Sequence, residues 1–353
     1  MCGRDLKLGR LLFEVDLQNS RHTYLLPSKM AISRATGVPG NNIMITSTHN
    51  HSGPDVNSSE AVIEDYIAYL CDRMAEAAVA AMADRKPAQM RTASTRLENM
   101  NFVRHFLLKD GTKTGWASPA TAAYKAGNLA GYAVEVDNEM QLIRFTREGG
   151  KDIVLMNWQA HPSGAGEYEY SVLSDIEPIR KEIEAQLDCC FAYFLGAAGN
   201  INSTSKILED MRYPEYETRG KALAQYAVDA LADAQPAQIG SIRLIGKDYP
   251  GILREDETKT RLIQLYAFSL GDVAFITAPY EMFCESGMQI KDSSPFKMTF
   301  IATCANGAMG YLPTIATFEY DSYEGSGTNF IPGTAEKMVT EYISMLNQIH
   351  KAN

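Results

Sequence analysis

Three observations predict an α/β fold with mixed β-sheets and flanking helices. Apolar runs of strand length alternate with helical stretches early in the chain. Strand-like runs then crowd together, as hairpins do, in the middle and near the end. A long amphipathic stretch closes the sequence. Helix crossovers give parallel pairs and hairpins give antiparallel ones, so the sheets should mix both.

In order, Leu11-Leu12-Phe13-Glu14-Val15-Asp16-Leu17 reads as a buried strand, 22–36 as a helix and 43–48 as a strand. A long helix is expected from about Ser58 to Arg85, with Asn57 and Glu60 spaced as a capping box, an alanine-rich body and Pro87 as its stop. Strand-like runs recur at 89–97, 132–136, 140–147, 151–159 and 191–195. Between them, 98–130 is polar and without clear period; loops of that length inside a domain usually carry function. Helices follow at 174–188 and 214–234, and strands at 239–246, 261–269, 272–278 and 297–303. Segment 306–331 is irregular and rich in Gly, Thr and Tyr, and 332–350 forms the closing helix. No repeat, low-complexity tract or Pro/Ser-rich linker interrupts the chain, so one domain is expected over 1–353.

Composition narrows the function classes. A formal charge of −10 leaves no basic surface for phosphates, which argues against a nucleic-acid partner. No apolar run reaches the roughly 20 residues of a transmembrane segment. The opening Met1-Cys2-Gly3-Arg4-Asp5 lacks the apolar stretch of a signal peptide, so the expected location is cytoplasmic. Six cysteines without a CxxC spacing read as buried, reduced thiols, the adjacent Cys189 and Cys190 among them.

Chemistry concentrates in Ser47-Thr48-His49-Asn50-His51-Ser52-Gly53-Pro54, which follows the apolar run Ile43-Met44-Ile45. On an extended strand, residues two apart face the same side, so both imidazoles could enter one pocket. His161 repeats the placement, following Ile153–Trp158 and preceding Pro162-Ser163-Gly164. Imidazoles at strand ends before Gly/Pro turns suggest a metal-dependent enzyme. His22 and His350 read as bland. An H-x-H-x-D-H pattern fails at Ser52-Gly53-Pro54, and the later histidines that a TIM-barrel amidohydrolase needs are too few. There is no H-E-x-x-H, G-x-S-x-G, G-x-G-x-x-G or phosphate-binding loop.

Thr48-His49-Asn50-His51-Ser52-Gly53-Pro54 resembles the T-H-T-H-S-G-P motif of the neutral/alkaline ceramidase family. Trp158-Gln159-Ala160-His161-Pro162 is similar to its second histidine motif, and Phe194–Asn202 to its G-x-x-G-D-[IV]-x-P segment. Gly310-Tyr311-Leu312-Pro313-Thr314 and Tyr323-Glu324-Gly325 resemble its paired tyrosine motifs. These matches run in order from about residue 11 to 345. The resemblance implies the fold of that catalytic domain, with Zn2+ held by His49, His161, Glu281 and Tyr311. It gives His51 a part in binding substrate or relaying protons, and sets Arg104 and Tyr323 on the scissile carbonyl and its oxyanion. The implied reaction is hydrolysis of an amide in an N-acylated, ceramide-like lipid by metal-bound hydroxide, a step of sphingolipid metabolism.

The chain departs from the family pattern at several points. Asn200 stands where the family has aspartate, and Ser203-Thr204 replaces the usual ending of that segment. The N-terminal portion is shorter than the pattern, and the expected organisation is the catalytic domain by itself, without the family's C-terminal immunoglobulin-like domain. Two further readings stay open on sequence alone: a hydrolase of a small polar amide or ester, and an inactive homologue that binds without cleaving. Oligomeric state is not legible. By residue chemistry alone, Glu281 could instead be a helix-end carboxylate, Arg104 a solvated loop cation, and Tyr311 and Tyr323 packing tyrosines.

Overall fold

The computed structural model describes residues 9–54, 56, 61–163, 174–204, 207, 213 and 215–352. Its fold is mixed α/β. A five-stranded sheet runs in the order 189–195, 152–158, 139–147, 88–96, 235–237, and a four-stranded sheet in the order 242–252, 260–270, 273–277, 298–302. Leu11–Val15 and Ile43–Ser47 form a separate parallel pair.

Three parallel pairs decide where the site can lie. Leu11–Val15 pairs with Ile43–Ser47, Asp152–Trp158 with Cys189–Leu195, and Val273–Thr277 with Met298–Ala302. Their carboxyl ends are stitched together by main-chain hydrogen bonds. Thr303 N–H donates to Leu195 O (2.9 Å), Ser47 N–H to Cys304 O (3.3 Å) and Ala278 N–H to Ala302 O (2.8 Å). The carboxyl ends of parallel strands are where α/β folds place their ligands, because the chain leaves the sheet there in loops held by a rigid edge. Asn157 joins the two large sheets: its amide donates to the carbonyls of Phe194 and Ile301 (2.9 Å each) and accepts from Ile301 N–H (3.1 Å). A buried amide so satisfied fixes the relation of the two sheets.

Helices cover the sheets by their apolar stripes. Thr334–Lys351 buries Met338, Val339, Tyr342, Met345, Leu346 and Ile349, a helical spacing, against the four-stranded sheet. Each such side chain stabilises by roughly 1.5–3 kcal/mol on burial. Ile176–Leu187 and Tyr216–Ala232 cover the other sheet through Ile179, Ile183, Leu223, Ala227 and Leu231.

Most long elements stand where the sequence puts them, and the exceptions have physical causes. The long helix is described over Ala61–Ala83, while its expected cap residues Asn57 and Glu60 lie outside the described residues. The strand expected at 132–136 is instead Leu129–Tyr132. Val134 and Val136 do alternate into the core, but the segment finds no ladder partner, so alternation reported burial and not pairing. The expected loop 98–130 holds the short strands Phe102–Val103, Phe106–Leu108, Lys113–Thr114 and Leu129–Tyr132 and the helix Ala117–Lys125. Strands of two to four residues are too short to show a period. Likewise 306–331 contains the strand Tyr311–Leu312, a 3-10 turn Ile315–Glu319 and the short helix Tyr323–Gly327. Cys71, Cys189, Cys284 and Cys304 are buried and reduced as expected, but Cys190 is exposed because it faces outward on its strand, and Cys2 lies outside the described residues. Among the described residues no helix is long and apolar enough to cross a membrane.

Candidate metal centre

His49 and His51 converge, though not by strand alternation. The strand stops at Ser47, and His49 takes a left-handed backbone (φ 64°) in the turn that follows. That conformation is uncommon for a residue with a side chain and costs about 1–3 kcal/mol, so the surroundings must hold it. They do: His49 N–H donates to Leu17 O (3.0 Å), and its ring Nδ1 meets Gln18 O at 2.6 Å. The ring is thereby fixed with Nε2 pointing inward. His51 follows in the same turn, its Nε2 3.3 Å from that of His49 and its Nδ1 3.5 Å from the Gln18 amide.

His161 comes from the end of Asp152–Trp158. Its main-chain N–H donates to Ile201 O (3.1 Å) and its Nδ1–H to the same carbonyl (3.0 Å), which again presents Nε2 to the centre. Glu281 leaves the end of Val273–Thr277 and pairs, in the two-residue strand Glu281–Met282, with Tyr311–Leu312 in the register Glu281↔Tyr311. Its Oε2 lies 3.0 Å from His161 Nε2 and 3.4 Å from His49 Nε2. The second half of the Phe194–Asn202 segment locks this edge. Gly199 N–H donates to Met282 O (2.7 Å), and a side chain at Gly199 would stand 2.7 Å from Glu281 O. Only glycine permits that approach.

The donor set fits a divalent metal such as zinc. His49, His51 and His161 place their ring nitrogens within 4.8 Å of one another. Ligands about 2.0–2.1 Å from a tetrahedral zinc stand about 3.3 Å apart, close to the His49–Glu281 and His161–Glu281 separations. Both inward-facing imidazoles have their far nitrogen anchored on a main-chain carbonyl, the usual support of a metal-ligating histidine. Burial works to raise the Glu281 carboxyl, but His49 and His161 beside it hold it well below the ordinary range. Burial and the charge of Arg104 lower His161, and burial with the neighbouring imidazoles pushes His51 down to about 3. Both rings are then neutral at neutral pH, as a ligand or hydrogen-bond acceptor must be. His49 is the opposite case. Burial lowers it, but Cys304 and Glu281 outweigh burial and raise it well above 6.5. The Glu281 carboxylate beside His49 thus favours positive charge at this point of the pocket.

The structure also brings Arg104, Tyr311 and Tyr323 to this centre. The Tyr311 ring stacks on His161 (centroids 6.5 Å apart), the Arg104 guanidinium lies 5.4 Å above the Tyr311 ring, and Tyr323 meets Tyr311 edge-on at 5.6 Å. Burial raises the Tyr311 phenol and Arg104 opposes it. Arg104 is no solvated cation: its Nη2 donates to Gly199 O (2.6 Å), and its Nε is ion-paired with the fully buried Glu324. Tyr323 is 51% exposed and stands at the rim of a cavity of about 520 Å3. Phe102, Phe106, Trp116 and Ile207 line that cavity together with Arg104 and Asn202.

Asn200 works as a structural tie. Its Oδ1 accepts from Cys284 N–H (2.9 Å) and its amide donates to the Glu285 carboxylate (2.7 Å). An amide can do both, and Glu285 supplies the negative charge that an aspartate at 200 would have brought. Sequence reading missed Gln18, Glu324, His105 and Tyr320. The signals that could have found them were a glutamate beside Tyr323 and a histidine beside Arg104.

A scan of protein-family models returns no match, and neither does a search of curated protein sequences. Solved structures do match. A crystal structure of neutral ceramidase from Pseudomonas aeruginosa superposes with a TM-score of 0.74 at 15% identity, covering 96% of this chain and 66% of that one. A ceramidase structure complexed with C2 gives 0.73 at 14% identity, covering 96% and 67%. The chain thus spans about two thirds of those proteins. Over nearly its whole length it has the fold of a neutral-ceramidase-like domain.

Proposed function

We propose that this chain is a zinc-dependent hydrolase that cleaves the amide bond of an N-acylated, ceramide-like substrate. The observation that carries the reading is the convergence of His49, His161 and Glu281 on one point, beside Arg104 and Tyr323 at the mouth of the cavity. The likeness in fold to two ceramidase structures supports the substrate class.

His49, His161, Glu281 and Tyr311 would hold the metal. Zinc there supplies Lewis acidity and lowers the pKa of a water from 15.7 towards about 7. Arg104 and Tyr323 donate to the carbonyl oxygen, where negative charge grows as water adds to the carbon; such donors contribute about 3–4 kcal/mol each. His51, neutral at the working pH, orients the water or a substrate hydroxyl by accepting a hydrogen bond. It takes up a proton only in passing to the leaving nitrogen. The C–N bond breaks, giving a carboxylate and an amine. Phe102, Phe106 and Trp116 offer apolar wall to an alkyl chain.

Metal analysis of the purified protein, with hydrolysis of N-acyl amino alcohols of graded chain length, tests the proposal. About one zinc per chain is expected, with kcat/KM rising as the chain lengthens. Each buried methylene is worth roughly 0.8 kcal/mol. A flat chain-length series would point to a small polar amide, and a metal-free, inactive protein would sink the reading. His51→Ala should keep its zinc; loss of the ion in that variant would make His51 a ligand.

A further inference from the structure

Arg104 is held by a buried relay that the metal chemistry does not use. The Glu324 side chain is fully buried, with one carboxylate oxygen ion-paired to Arg104 Nε and the other 2.8 Å from His105 Nε2. His105 is itself buried, and its Nδ1 lies 2.8 Å from the Tyr320 hydroxyl. Two links of the relay are hydrogen bonds and the third is an ion pair, in which Arg104 Nε and the facing Glu324 oxygen meet by charge and not by hydrogen-bond geometry. Tyr320 O–H donates to Nδ1, His105 Nε2–H donates to the carboxylate, and the carboxylate faces the guanidinium. An ionised carboxylate buried this deeply persists only if it is paired on both sides.

The relay joins two segments distant in sequence. Gly115 N–H donates to Asp321 O (2.9 Å), and Trp116 meets Tyr323 edge-on (5.8 Å). A side chain at Gly115 would stand 2.3 Å from Ser322 Cβ, so glycine is what lets the segments close. Ser322 Oγ in turn accepts from Gly325 N–H (3.0 Å), capping the short helix that begins with Tyr323 and Glu324. The two carbonyl donors, Arg104 and Tyr323, therefore sit on the two halves of one clamp.

We propose that Glu324 and His105 are positioning residues that aim the Arg104 guanidinium at the reacting carbonyl. Tyr320 completes the relay and Gly115 the seam. The proposal rests on the hydrolase reading for its consequence in catalysis, but its geometry is testable without turnover.

In wild-type protein the Arg104 Nε–H should give a distinct 15N-edited NMR resonance in slow exchange with water, identified by its loss in Arg104→Lys. Glu324→Gln should merge it with the exposed arginines while zinc per chain stays unchanged. An unaltered resonance overturns the proposal, whether or not the protein hydrolyses an amide. On an N-dodecanoyl amino alcohol, Glu324→Gln should lower kcat about 10–100-fold with KM within about twofold, scaled to the cost of losing one oxyanion donor. In an Arg104→Ala background the same change should cost less than about twofold, since coupled residues are non-additive. Equal losses in both backgrounds would show that Glu324 acts elsewhere. Tyr320→Phe, which removes one hydroxyl, keeps the test open if Glu324→Gln does not fold: it should lower kcat about threefold to tenfold and shift the same resonance. An unchanged kcat and resonance in that variant would overturn the relay. Wild-type protein that binds zinc, shows the shifted resonance and cleaves no amide would sink the hydrolase reading and leave the relay standing.

Discussion

The strand-end platform and the clamp that faces it are built on different principles. His49, His161 and Glu281 stand just beyond the carboxyl ends of strands, and each is tied to main chain from another segment: the His49 ring to Gln18 O, the His161 ring to Ile201 O, and the Glu281 N–H to Gly310 O. Arg104, Tyr311 and Tyr323 come from segments whose strands and helices run to only a few residues. Arg104 has a main-chain anchor in Gly199 O and otherwise leans on Glu324 and, through it, on His105 and Tyr320, while the Tyr311 ring meets both Arg104 and the Tyr323 ring. Main-chain anchorage survives most substitutions. Side-chain anchorage can be undone by a single atom, so under the proposed function the clamp should be the region where single substitutions grade the activity.

Substitutions should separate the two regions. The largest effect is expected at the platform. His161→Ala should take zinc from about one per chain to near zero and remove activity with it; retained stoichiometric zinc would move the centre elsewhere. Next comes the clamp. Arg104→Ala should lower kcat about 10²–10³-fold with zinc content unchanged, and loss of metal in that variant would erase the distinction between the regions. A change in neither region is the control. Leu346→Ala, in the buried stripe of the closing helix, should cost about 2–5 kcal/mol in a urea titration. It should leave metal and kcat alone; a matching fall in kcat would mean that the core couples to the site.

The smallest effect is in pH. Burial works to raise the Glu324 carboxyl, but Arg104 and His105 hold it below the ordinary 4.5. A folded pKa lowered in this way gives stability that is present above about 4.5 and lost as pH falls through the lower folded value. The Glu281 carboxyl, also lowered, should add to the same acid limb. The urea midpoint should therefore fall below pH 4.5, and Glu324→Gln should flatten part of that slope. An unchanged slope would mean that the carboxylate gains nothing from its partners.

Legibility followed the same division. The helices His22–Thr36 and Thr334–Lys351 and the strands Ile43–Ser47 and Glu139–Arg147 lie within a residue or two of where pattern puts them. Their lengths give a period time to show. His49, His51 and His161 were legible because strand-end histidines before Gly/Pro turns are uncommon. The left-handed turn at His49 was not, since alternation suggests a simpler way to bring His51 beside it. Arg104, Tyr311 and Tyr323 were reached through a family resemblance, and no periodicity surrounds them. His105 and Glu324 were passed over because a charge inside an irregular segment reads as solvated until its partner is known.

By itself the sequence determined which segments would bury, and hence the sheets, the covering helices and the strand ends at which the histidines emerge. Those are local facts, set by side-chain period and turn chemistry over a few consecutive residues. Tertiary structure alone decided that Glu281 meets His161 across 120 positions and that Glu324 meets Arg104 and His105 across more than two hundred. Such contacts depend on how far the chain must travel before it returns, and no local pattern records that distance.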